Sequence, residues 1–143
     1  MSQPSNIFFN SEEIDFNLPN QPVIIDWINS TADQEGQTVQ SLNFIFCSDK
    51  YLHQINVEYL NHETYTDVIT FPYMENGNPV EGDIFISIDR IKENAENFKT
   101  SFENELHRVM IHGTLHLLGY GDKTPDEKLK MTEKENEYLQ LLV

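Results

Sequence analysis

The pattern of apolar and polar positions changes period several times along the chain, and each change predicts an element. Ile7-Phe8-Phe9 reads as a short first strand, followed by an acidic turn at Glu12 and Glu13. From about Pro22 the residues Val23, Ile24, Trp27 and Ile28 recur at helical spacing, and the pattern fades near Gly36. Val39 to Cys47 is rich in strand formers and partly alternates, which predicts a second strand. Ser48 or Asp49 can cap a helix whose apolar face uses Leu52, Ile55, Val57 and Tyr59. Asp67 to Pro72 and Asp83 to Ile88 read as two more strands, joined through a Met74–Pro79 turn containing Asn76-Gly77. A polar helix follows from about Asp89 to Phe98. Thr100 and Glu103 have capping-box spacing and open a helix whose Leu106, Val109, Met110, Leu115, Leu117 and Leu118 predict burial. Thr124-Pro125-Asp126-Glu127 is another start signal, for a last helix reaching about Leu141 with Leu129, Met131, Tyr138 and Leu142 available for packing. The expectation is an α+β fold, one domain over residues 1–143, with a mostly sequential mixed sheet of about four strands and helices around it.

The chemistry concentrates where the buried helix ends. His112 and His116 are four apart, so on a helix their imidazoles share one face. Gly119 then offers a helix stop, because glycine enters the left-handed region without penalty. Past that stop the chain can swing back and bring Asp122 to the two imidazoles. Two nitrogens and a carboxylate oxygen with one open position match a catalytic zinc site rather than a closed structural one. The HxxxHxxGxxD spacing is that of the metzincin proteases, but Gly113 stands where those carry a glutamate general base. Without that carboxylate, peptide hydrolysis by the usual route is not expected. The plainer alternatives are that both histidines are hydrogen-bonded core residues and that Asp122 is a turn residue capping the last helix.

Composition sharpens the functional question. The 143 residues contain no apolar run long enough to span a membrane and no signal-peptide pattern, and Cys47 stands alone in an apolar segment. A cytoplasmic protein without disulfides is the expectation, with Cys47 as core filler. The formal net charge of −15 sets the chain apart from generic nucleic-acid binders, which neutralise phosphates with lysine and arginine. Any contact with RNA has to rest on a metal, a local basic strip or a partner that holds the RNA.

The stretch His112-Gly113-Thr114-Leu115-His116-Leu117-Leu118-Gly119-Tyr120-Gly121-Asp122 resembles HGxLHLxGYDH, the hallmark of the YbeY endoribonuclease family. Tyr65-Thr66-Asp67-Val68-Ile69-Thr70-Phe71-Pro72 is similar to that family's PTDVLSFP, and Gly82-Asp83-Ile84-Phe85-Ile86-Ser87 to its GDIxIS. Order, spacing and length agree from about residue 40 onward. The resemblance implies a zinc-dependent, single-strand-specific endoribonuclease acting in 16S rRNA 3′-end maturation and small-subunit quality control. Its implied partners are rRNA and the small ribosomal subunit or its proteins, with neither membrane nor DNA. It implies one ion per chain, Zn2+ or alternatively Mn2+ or Mg2+, held by His112, His116 and Asp122, with both histidines acting through the metal.

Two departures stand out. Asp122 occupies a position where the family usually has histidine, and Leu60 one where it has a functionally important arginine. His62, Arg108 and Lys123 are the candidates for that arginine's phosphate contact, Arg108 being the one carried as a catalytic residue. Asp67 is a candidate for orienting a histidine, although Asp67 and Asp83 also read as strand-edge residues, and Glu105 lies too far along the helix to serve as base. The Phe and Tyr residues are spaced mostly as core. Rival functions are another metallohydrolase and a non-catalytic ribosome-assembly protein with a structural metal.

Overall fold

The computed structural model describes residues 6–60, 66–74 and 79–142. Its elements run β1 (Ile7–Glu12), α1 (Gln21–Gln34), β2 (Val39–Cys47), α2 (Asp49–Leu60), β3 (Val68–Pro72), β4 (Val80–Ser87), α3 (Ile88–Asn97), α4 (Phe102–Leu117) and α5 (Pro125–Leu139). The expected α+β fold is present, with four strands in one mixed sheet among the described residues.

Strand order is β1-β2-β4-β3, so the sheet is less sequential than the sequence predicts. β1, β2 and β4 are parallel neighbours, with Phe44 opposite Ile84, while β3 runs antiparallel to β4 with Thr70 opposite Ile84. The edge falls to β3 because it ends in Pro72, which has no N–H to give a second neighbour. Alternation along β4 then sorts the two faces. Val80, Ile84 and Ile86 join Leu42, Phe44 and Phe46 of β2 in the main core, against Trp27 and Ile28 of α1, Met110 and Leu115 of α4, and Tyr138 of α5. Phe85 turns to the opposite face, where Cys47, Leu52, Ile55 and Ile69 form a smaller cluster under α2. Burial pushes the Cys47 thiol up to about 12, with Asp89 and Asp49 adding to the effect, consistent with its expected role as core filler.

Several local expectations shift in detail. The strand expected over Asp83 to Ile88 begins at Val80 and stops at Ser87, because the Ser87 hydroxyl accepts the Arg90 N–H and caps α3. The cap of α4 is Ser101, accepting from the Asn104 N–H, rather than Thr100 in a box with Glu103; the Thr100 hydroxyl instead accepts from the Asn104 side chain. α2 buries Leu52, Ile55 and Asn56 and leaves Val57 and Tyr59 outside, and Leu129 of α5 is likewise exposed. The Asn76-Gly77 turn lies outside the described residues. At Thr124 the expected capping box is present, with Glu127 and Thr124 bonding reciprocally and Pro125 opening the helix.

Candidate metal centre

α4 reaches the sheet at Gly113. A Cβ there would lie 2.8 Å from Ile84 Cγ2, so the helix crosses β4 close enough that any side chain at 113 would force a shift. That contact places His112 and His116, on the neighbouring face, beside edge strand β3. The helix then ends in a Schellman motif: the Gly119 N–H donates to the His116 carbonyl, and the Tyr120 N–H reaches back to the Leu115 carbonyl. Gly119 takes φ +114, the left-handed conformation this motif requires. The turn aims the Tyr120 carbonyl at His116 Nδ1, 2.9 Å away. It also returns Asp122 to the histidines just before the Thr124 cap starts α5.

Asp122 Oδ2 lies 3.4 Å from His112 Nε2 and 3.3 Å from His116 Nε2. One donor atom from each residue falls within 4.8 Å of the others. Ligands about 2.0–2.1 Å from a tetrahedral ion stand roughly 3.3 Å apart, so the separations to Asp122 suit an ion of that geometry and size. Both histidines are anchored through the opposite ring nitrogen. His116 Nδ1 engages the Tyr120 carbonyl, and His112 Nδ1 lies 2.6 Å from Glu135 Oε2. Burial lowers the His112 pKa, but the hydrogen bond and charge of Glu135, with Asp122 and Asp67 beyond, outweigh it and hold the pKa above the ordinary value.

The group opens into a cleft of about 360 Å³, lined by Asn56 and Leu60 of α2, Asp67, Val68 and Thr70 around β3, and His112, His116 and Asp122. Burial raises the Asp67 carboxyl pKa, against the pull of His112 and Arg90.

The family described as Endoribonuclease YbeY matches residues 6–143. The chain belongs to that family. An Endoribonuclease YbeY of Amoebophilus asiaticus is 50% identical over 94% of this chain and 92% of its own length. One from Flavobacterium psychrophilum is 50% identical over 90% of this chain and 91% of its own. In structure, a Thermotoga maritima protein solved in solution superposes with a TM-score of 0.65 at 28% identity, covering 94% of this chain and 87% of that one.

Within this YbeY-family cleft the remaining candidates separate. Leu60 lines the cleft, whereas neither Arg108 nor Lys123 does. The Arg108 guanidinium is turned to α5, with Nη1 2.8 Å from Glu135 Oε1 and Nη2 2.8 Å from Asn136 Oδ1. Lys123 is exposed beside the Thr124 cap, and His62 lies outside the described residues. Asp67 faces the cleft and accepts from the Asn94 side chain; the carboxylate that engages His112 is Glu135 instead. Asp83 belongs to the opposite face of the sheet, bonded to Asn43 and Tyr73. Glu105 is buried outside the cleft, and burial, then Asp67, raises its pKa. Not all the aromatics are core: Tyr51, Tyr59, Phe71, Tyr73 and Phe85 line a separate groove of about 490 Å³ with Glu58 and Asp83.

Glu135, the carboxylate against His112, is the contact of this site that sequence reasoning missed. A signal for it exists in the pattern of α5, since Met131, Glu135 and Tyr138 recur at i, i+4 and i+7, and all three are buried. A carboxylate on a buried stripe has to be paired, and that requirement marks Glu135 by its spacing alone.

Proposed function

We propose that this chain is a zinc-dependent endoribonuclease specific for single-stranded RNA, acting in 16S rRNA 3′-end maturation and small-subunit quality control. The observation that carries the reading is the convergence of His112 Nε2, His116 Nε2 and Asp122 Oδ2 at an open cleft, without a protease glutamate at Gly113. Membership of the YbeY family, whose relatives bear the name endoribonuclease, supplies the substrate class. Two imidazole nitrogens and one carboxylate oxygen are a donor set that suits Zn2+, with Mn2+ or Mg2+ as the alternatives that elemental analysis separates.

An ion held there supplies positive charge beside the scissile phosphate and acidifies water. The side chains supply position. His112 and His116 present lone pairs from rings whose other nitrogens are anchored, and Asp122 adds a negative oxygen. With glycine at 113, the helix motif supplies no carboxylate to take a proton. Asp67, whose pKa burial raises, is the carboxyl on the cleft wall outside that motif and the three-residue donor set. No arginine or lysine lines the cleft among the described residues, so single-stranded RNA has to be delivered by something other than a basic wall. A basic protein of the small subunit, attracted by the net charge of −15, suits that need and keeps the ribosome-assembly reading alongside the enzymatic one.

The deciding experiment is elemental mass spectrometry on untagged wild type and His116→Ala, paired with cleavage of a single-stranded RNA oligonucleotide. About one zinc per wild-type chain, with both zinc and cleavage lost in the variant, is the expected result. Wild type that binds no zinc when it is supplied overturns the enzymatic reading. A 2′,3′-cyclic phosphate on the product would exclude direct attack by water.

A further inference from the structure

Behind the cleft, the chain Arg108–Glu135–His112 links α4 to α5. Glu135 is 7% exposed, and its carboxylate is engaged on both sides. Oε1 accepts from Arg108 Nη1 at 2.8 Å, and Oε2 lies 2.6 Å from His112 Nδ1. We propose that Glu135 is a positioning residue that takes the Nδ1 proton of His112 in a hydrogen bond and so commits Nε2 to the metal, with Arg108 as its counter-cation. The inference rests on reading His112, His116 and Asp122 as a metal site.

The chemistry of the groups gives the direction. A neutral imidazole carries one N–H and one lone pair, and an ionised carboxylate can only accept. With Oε2 against Nδ1, the proton sits on Nδ1 and the lone pair on Nε2, the nitrogen 3.4 Å from Asp122 Oδ2. A carboxylate behind a ligating histidine fixes ring orientation and raises its basicity. His116, whose Nδ1 meets the Tyr120 carbonyl, is held by a neutral acceptor and gains only the first effect. Arg108 sits one turn before His112 on the same face of α4 and forms an ion pair with Glu135 at 2.8 Å, giving the buried carboxylate a partner. A purely structural pairing of α4 with α5 would not need the histidine contact, since Asn136 already receives the second Arg108 nitrogen.

The test combines long-range 15N–1H NMR of the zinc-loaded full chain with zinc affinity measured against a chromophoric chelator. His112 is expected with its proton on Nδ1 in wild type, a result that needs no variant. Glu135→Ala should bind zinc about 10–100-fold more weakly, with Glu135→Gln, which keeps an acceptor but not the charge, falling between. Wild-type affinity in Glu135→Ala, or a His112 proton on Nε2, overturns the positioning role alone. A wild-type chain that takes up no zinc overturns the metal site and this role with it.

Discussion

Asp122 is the point at which this chain departs most sharply from HGxLHLxGYDH, and its geometry makes the departure testable. Its Oδ2 lies 3.3–3.4 Å from both ring nitrogens, so the carboxylate completes the group of three that could hold an ion. Asp122→Ala should weaken zinc binding, and Asp122→His, which restores the family's usual residue, should tighten it beyond wild type. Chelator competition on the three proteins checks the order, and unchanged affinity in Asp122→Ala would remove Asp122 from the site. The triad was legible in the sequence because its members span eleven residues whose local geometry, helix face plus glycine stop, is nearly determined. Glu135 was not, since its link to His112 crosses 23 positions and joins two helices. The pairing of Arg108 was hidden for the same reason: an arginine without a partner in the linear sequence looks available, and folding supplies the partner.

At the scale of elements, the contact between α4 and the sheet accounts for the absent protease base. Gly113 faces Ile84 at 2.8 Å from an added Cβ, with Thr70 Cγ2 at 3.5 Å, so a side chain at this position meets the core rather than the cleft. Gly113→Ala gains about 1 kcal/mol of helix propensity, but overpacking a filled core costs about 1–3 kcal/mol. A net loss of about 1 kcal/mol is expected in chemical denaturation, and Gly113→Glu should lose far more while gaining no peptidase activity. Stabilisation by Gly113→Ala would show that the helix can shift away from β4 at little cost. Caps at Ser48 and Thr124 were readable because each depends on a few adjacent residues. Strand order was not, because placing β4 between β2 and β3 is decided by which strands can be buried on both faces and which, like Pro72-ended β3, tolerates an edge.

For the whole molecule, the question is how a chain of net charge −15 handles a polyanion. Between about 0.01 and 0.15 M salt the Debye length contracts from about 30 to about 8 Å, which shields RNA from the diffuse negative field while leaving contacts inside the cleft largely intact. A nuclease that holds RNA through several lysine or arginine contacts loses orders of magnitude in affinity over such a range. The described cleft offers Leu60, Asn56 and Thr70 but no cation on its walls, so the repulsive long-range term dominates encounter here. The expected outcome is that kcat/KM on a single-stranded oligonucleotide holds steady or rises as monovalent salt increases through this interval at saturating zinc. Adding a basic small-subunit protein should raise the rate at low salt and lose its effect at high salt, because that attraction is screened in turn. A steep fall of kcat/KM with salt for the isolated chain would reveal a cationic RNA contact, and mutating the lysines outside the cleft would then locate it.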